Sequence, residues 1–251
     1  MRESVCLSHA LFLFIWCEMT NQLLFYRDVV PLNRETHKGA KIDLKPERFG
    51  HYRDSHLVPA LVDEFLVASA HLPIIFMPTA DGPAACFLVG LRSGVNACVD
   101  TEGKWRADYV PAYLRRHPFI LGEVEGSDPL VCVDQKFVSD NGEALFDGEG
   151  KESPILLDFI RLTNEYFASS KRTENFAKTL VRLNLLRSVN IDAKFENGEA
   201  LALYGCLTID EEKFASLSDE EFLQLRKDGF LPAIYGHMAS LANIERVRRL
   251  S

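Results

Sequence analysis

The side chains able to do chemistry are concentrated in one stretch, Val95 to Pro118, VNACVDTEGKWRADYVPAYLRRHP. It holds Asp100, Trp105, Arg106, Asp108, Tyr109, Tyr113, Arg115, Arg116 and His117. Trp and Tyr supply large contact area, and Arg supplies forked donors for a carboxylate or phosphate. Trp105, Arg106, Asp108, Tyr113, Arg115, Arg116 and His117 are therefore a candidate ligand- or partner-binding surface. Adjacent arginines on a helix point about 100° apart, so at most one of Arg115 and Arg116 faces a given pocket squarely. The competing reading of the same residues is that Trp105 and Tyr109 are core and the charges pair among themselves. A second polar line, His237, Ser240 and Asn243, recurs every three residues near the C-terminus. It is read as a hydrogen-bonding seam against another element or subunit. A Ser–His pair is the sharper alternative, but no orienting carboxylate or oxyanion loop accompanies it, so no catalytic residue is assigned.

Metal and nucleotide chemistry find no footing in the sequence. His51 and His56 have neither helical nor hairpin ligand spacing. Gly150-Lys151-Glu152-Ser153 resembles a phosphate loop, but the glycine required five residues earlier is Leu145. No cofactor is expected. At 251 residues and 47% hydrophobic content the chain can bury a sizeable core. A net charge of −8 argues against a nucleic-acid backbone as main partner. A protein partner or a small acidic ligand fits better, and oligomeric state is not legible. The cysteines are Cys6, Cys17, Cys86, Cys98, Cys132 and Cys206, with no C-x-x-C pair. They read as free thiols in a reducing compartment, which makes the expected location cytoplasmic. No apolar run reaches the ~20 residues that span a bilayer. Residues 1–18, with ALFLFIW at 10–16, differ in pattern from the rest of the chain. They are read as an upstream extension, with a degenerate export signal, and hence an exported or envelope-associated protein, as the alternative.

The elements that must position these residues emerge from pattern. Leu23–Val30 reads as a first strand and His37–Leu44 as a turn into a short second one. Val58–Leu72 reads as a helix packed on a sheet, with Val58, Leu61, Val62, Phe65, Leu66 and Ser69 on its stripe and Asp63 and Glu64 on the other side. Ile74–Met77 and Ala84–Leu91 suggest a hairpin with a longer loop at Ala80-Asp81-Gly82-Pro83. Val95–Val99 would be the third strand of an antiparallel meander. Tyr109–Arg116 reads as a short helix, Phe119–Leu121 and Leu130–Val133 as strands. After the acidic, Gly-rich loop 139–153, Ser153 and Pro154 open a helix. Ile155–Phe167 and Asn175–Leu186 are read as two helices. Asn197-Gly198 marks a hairpin pairing Phe195 with Ala200, Ala193 with Ala202 and Ile191 with Tyr204. Ser218 to Glu221 is a capping box, Gly229 closes that helix, and Ala233–Leu250 is the last. No internal repeat is visible. The expected fold class is α+β: an antiparallel-sheet N-terminal region, then a mixed, mainly helical region with a β-hairpin. The expected domain is single, 19–251, with sub-regions of about 19–138 and 153–251 joined by the loop.

GKWRADYVPAYLRRHPF, with LFYRDVVPLN before it and IYGHMASLANIERV after it, resembles the SapC family of bacterial proteins. The resemblance runs from about Leu23 to the C-terminus. It implies an accessory or interaction protein linked to the bacterial surface layer or envelope, without catalytic residues to carry over. A small-ligand binding protein, or an enzyme using the Asp/Arg/His cluster at 100–117, are the alternatives. The peptide-transporter permease that shares the SapC name is excluded by the lack of a membrane-length apolar run.

Overall fold

The computed structural model describes residues 24–122, 128–194 and 200–251. The extension 1–18, Cys6, Cys17, the Asn197-Gly198 turn and the Phe195 pairing lie outside the described residues. The strands are β1 (Val29–Pro31), β2 (Lys41–Ile42), β3 (Leu57–Pro59), β4 (Ile74–Thr79), β5 (Gly82–Leu88), β6 (Phe119–Gly122), β7 (Leu130–Asp134), β8 (Val138–Ser139), β9 (Glu143–Ala144), β10 (Leu186–Lys194) and β11 (Ala200–Ile209). The helices are α1 (Phe65–Ala68), α2 (Ala112–Arg116), α3 (Pro154–Arg182), α4 (Glu211–Ala215), α5 (Asp219–Lys227), α6 (Leu231–Ser240) and α7 (Ile244–Leu250). The fold is mixed α+β: antiparallel sheets dominate the first half, and a long helix, a hairpin and short helices make the second.

Contacts divide the chain into two compact units, the residues up to Lys45 with Arg116–Asn164, and Pro46–Arg115 with Glu165–Ser251. The first holds a sheet ordered β1-β7-β6 and a smaller one ordered β8-β2-β9. Its core gathers Ile42, Phe119, Val133, Leu145, Phe146 and Phe159. Asp134, fully buried, accepts the backbone N–H groups of Arg27 (2.7 Å) and Asp28 (3.1 Å), which ties the entry of β1 to the end of β7.

The second unit is built on a five-stranded sheet ordered β10-β11-β4-β5-β3. Alternation along β4 buries both faces. Phe76 meets the rings of Phe65 and Phe176 on one side. Ile75 joins Leu88, Ile191, Cys206 and Val247 on the other. The β4–β5 loop is shorter than expected: Thr79 pairs with Gly82, whose φ of +119° only glycine adopts readily.

Several expectations are corrected. Val95–Val99 is not a strand. Asn96 bends it, accepting the Cys98 N–H on Oδ1 (3.0 Å), and only Val99 bridges to Trp105. The stretch 58–72 is not one helix either. Leu57–Pro59 pairs with β5, so Val58 is buried in the sheet, and helical structure begins with a 3-10 turn at Val62–Glu64. The two helices expected over 155–186 are one, α3. Ser170 and Thr173, in the gap between the two expected helices, bond back to the carbonyls of Phe167 and Ser169 (2.8 and 2.7 Å), so their side chains do not interrupt it. The last helix is divided by a 3-10 turn at Leu241–Asn243. The hairpin register is also displaced: Ile191 pairs with Leu203 and Ala193 with Leu201. A bulge at Tyr204-Gly205, with Gly205 at φ +75°, absorbs the extra residue. Beyond it, Val189 and Cys206 pair as simple counting from the turn requires.

One regularity escaped the sequence reading. Asp100-Thr-Glu-Gly-Lys104 and Asp147-Gly-Glu-Gly-Lys151 fold into the same loop. In each, the aspartate Oδ1 accepts the N–H groups two and four residues on, at 2.8–2.9 Å. In each, the aspartate N–H returns to the lysine carbonyl at 2.9 Å. The glycines stand at φ +91° and +80°.

Candidate functional site

The Asp100 loop delivers Trp105 back against the second unit. The Trp105 indole N–H donates to the Tyr109 carbonyl (2.9 Å), and its ring lies 5.8 Å from Phe49. From there to Arg115 the chain is held by Glu64. That carboxylate is only 6% exposed. Its Oε1 accepts the Tyr109 hydroxyl and the Ala112 N–H, both at 2.6 Å, with the Arg115 guanidinium at 3.7 Å. Its Oε2 accepts the Leu61 N–H (3.2 Å) and so caps its own turn. Burial raises the Glu64 pKa above the ordinary carboxylate value, against these hydrogen bonds. The Tyr109 hydroxyl is raised as well, by burial first and then by the Glu64 charge.

The remaining candidates separate. Asp108 is exposed and pairs with Arg246 (2.7 Å), with the His71 ring nitrogen 3.7 Å away. Arg106 is exposed and reaches the Leu250 carbonyl (3.3 Å). Arg115, exposed, lies over the Tyr109 ring at 6.0 Å. Tyr113 is buried against Tyr166 (5.8 Å). The chain passes into the first unit between Arg115 and Arg116. There Arg116, 2% exposed, lies over the Tyr26 ring at 5.8 Å. The His117 ring is buried between Tyr26 (4.7 Å) and Phe137 (4.3 Å). Trp105, Arg106, Asp108 and Arg115 thus reach the surface, while Tyr113, Arg116 and His117 face the interior. Sequence reasoning missed Glu64, because a polar/apolar pattern assigns it, with its neighbour Asp63, to solvent.

His237, Ser240 and Asn243 all bond to backbone groups of other elements. Between β11 and β4 only Leu207 and Phe76 are in register. Two residues along, the Ile209 N–H donates to His237 Nε2 (3.1 Å) and the Ile74 N–H to Ser240 Oγ (3.0 Å). Two side chains of α6 thus enter the opened ladder in place of strand–strand bonds. Asn243 donates to the Ser69 carbonyl (2.6 Å). Ser240 Oγ itself donates to the His237 carbonyl (2.6 Å) rather than to the imidazole. Burial lowers the His237 pKa to about 3, so the ring is neutral and an acceptor.

Among the described residues no group of three or more His, Cys, Asp or Glu is arranged to hold a metal. No described helix is long and apolar enough to cross a membrane. Cys86, Cys98, Cys132 and Cys206 are free. Burial pushes Cys86 and Cys98 up to about 12, which keeps them as inert thiols. A cleft of about 280 Å³ lies between the β4–β5 turn and the end of α3, lined mainly by Pro78, Pro83, Leu180, Val181 and Leu207.

The outward surface of α1 and α6 has a different character. The two helices cross so closely at Gly236 that a Cβ there would lie 3.0 Å from the backbone of Phe65 and Leu66. Leu66 (59% exposed), Val67 (63%) and Ala70 lie open on the α1 side. Pro232, Tyr235 (49%) and Ala239 do so along α6.

A protein-family model described as SapC matches residues 32–247. No curated protein and no solved structure matches.

Proposed function

The chain belongs to the SapC family, and from that premise we propose that it is a non-enzymatic accessory protein of bacterial surface-layer or envelope biology that works by contact with a protein partner. The observation that carries this reading is the apolar face of α1 and α6. Leu66, Val67 and Tyr235 are large, exposed and adjacent to a tight helix crossing, and contiguous exposed apolar area favours a protein partner. The polar stretch 100–117 supports the same reading, since Tyr109 is paired with Glu64 and Asp108 with Arg246. The partner is a protein with an apolar patch; the net charge of −8 disfavours nucleic acid. The protein acts in the cytoplasm with reduced cysteines, in production or export of envelope proteins rather than as lattice.

The test is made in the native host. A deletion strain is complemented with the natural chain or with Val67→Asp/Tyr235→Asp, whose folding is checked by circular dichroism. Surface-layer and envelope proteins are then quantified in cell-surface extracts. The expected result is a loss on deletion that the natural chain restores and the double variant does not. An unchanged surface profile after deletion rejects the envelope link. Full restoration by the double variant rejects the face.

A further inference from the structure

Arg48 lies in the 3-10 turn Pro46–Tyr52 and is half-buried. Its guanidinium stands 5.1 Å from the centroid of the Phe49 ring. Phe49 is in turn 6.0 Å from Tyr52 and 5.8 Å from Trp105. Glycines allow this turn and the Asp100 loop to come together: the Cβ position of Gly103 lies 2.6 Å from the Glu47 carbonyl and 3.3 Å from Gly50. The turn, the loop and Trp105 are therefore one packed piece.

What Arg48 lacks is a counter-charge. Among the described residues no carboxylate pairs with it. Glu47, its neighbour in sequence, turns to Lys104 at 3.8 Å, and Lys104 also holds Glu102 at 2.7 Å. Arg53 is engaged elsewhere, donating to the carbonyls of Asp100 and Thr101 (2.8 and 2.6 Å). Burial pulls the Arg48 pKa below its ordinary value, opposed only by Tyr52. A cation partly withdrawn from water without an anion is held at some cost, and an aromatic face compensates only in part. Residues held at such a cost are over-represented where a ligand completes them.

We propose that Arg48, with Phe49 beneath it and Trp105 beside Phe49, receives an oxyanion, a carboxylate or phosphate, on a ligand that also carries a flat apolar part. The guanidinium fork matches two oxygens of such a group, and the half-buried rings of Phe49 and Trp105 accept the flat part, with the buried Tyr52 ring supporting Phe49. This corner is separate from the face made by Leu66, Val67 and Tyr235 and is tested without reference to it.

The experiment uses the full chain with Trp16→Phe, which leaves Trp105 as its single tryptophan. Benzoate, phenyl phosphate and benzyl alcohol are each titrated while Trp105 fluorescence is read. The expected result is a saturable change with at least one anion and none with the alcohol at equal concentration. Arg48→Met should bind that anion about tenfold more weakly or worse, the effect of a lost charged hydrogen bond. It should also melt at or above the temperature of the parent, because an uncompensated charge is removed. A response to benzoate alone or phenyl phosphate alone supports the site and identifies its oxyanion. Silence from both anions, an equal response to benzyl alcohol, or undiminished binding by Arg48→Met overturns the proposal. So does loss of cooperative melting in Arg48→Met, which makes Arg48 a structural residue.

Discussion

Alanine at Gly103 and at Gly150 perturbs two loops of the same internal geometry, so the difference between them isolates what surrounds each loop. Both glycines have positive φ, +91° and +80°. A Cβ in that region costs about 1–2 kcal/mol through its own backbone. At Gly150 nothing lies within 4 Å of the added carbon, so that strain is the whole effect. At Gly103 the added carbon would stand 2.6 Å from the Glu47 carbonyl and 3.3 Å from Gly50, both main-chain. Relieving that overlap means moving the backbone, roughly 1–3 kcal/mol more. Gly103→Ala should therefore lose about 2–5 kcal/mol and Gly150→Ala about 1–2. Urea denaturation followed by circular dichroism and by tryptophan fluorescence measures both. Asparagine supplies the control, because it tolerates positive φ better than alanine. Gly150→Asn should recover much of the loss, whereas Gly103→Asn should not, since its Cβ meets the same carbonyl. Equal losses for the two alanines, or equal recovery by the two asparagines, would refute the reasoning.

Three further outcomes are expected. Burial raises the Glu64 pKa from 4.5, so the native state keeps this proton after the unfolded chain has lost it. The stability contribution of Glu64 then falls as pH rises from 4.5 through the raised native value. Melting temperatures across that range should decline more steeply for the natural chain than for Glu64→Gln, and parallel curves would contradict the assignment. His237 has the opposite sign, with its pKa lowered from 6.5 to about 3. Its contribution is complete above 6.5 and lost as pH falls toward 3; His237→Gln should flatten that slope in the same melts. Finally, Arg115→Ala removes an exposed guanidinium that stands 3.7 Å from Glu64, whose carboxylate keeps its Tyr109 and Ala112 hydrogen bonds, and should cost about 1 kcal/mol. Arg116→Ala, which empties a 2%-exposed site over the Tyr26 ring, should cost about 2–5 kcal/mol. Similar urea midpoints for the two would show that burial does not distinguish them.

Local signals in the sequence located many boundaries because local chemistry fixes them. Ser153 and Pro154 open α3, and Ser218 with Glu221 closes a capping box. Where the reading failed, a distant partner or a single backbone irregularity decided the outcome. Val58 fits a helical stripe as well as a strand, and its pairing with Phe87 settles the matter. The hairpin register turns on Gly205, a glycine inside a strand, which is the one sequence signal of a bulge. Glu64 is invisible to periodicity because its burial rests on Tyr109 and Ala112, 45 and 48 residues away. In the candidate surface, residue types were informative but orientation was not. Arg115 and Arg116 are neighbours in sequence and differ in nearly everything else.

The side chains of α6 that enter the ladder between β4 and β11 bear on how the protein is made. Ile74 is translated 166 residues before the Ser240 hydroxyl that receives its N–H. At about 5–20 residues per second, the ribosome takes roughly 8–30 s to cover that distance. Throughout that interval β4 and β5 can pair with each other, but the edge that later meets β11 has no closing partner. Domains usually fold in the order in which they are synthesised, and here the last helices carry part of the sheet's own hydrogen bonding. Completion of the second unit therefore waits for α6. The emerging chain presents an apolar strand edge until β11 and α6 have been made, and that is the period in which a nascent-chain chaperone has something to hold.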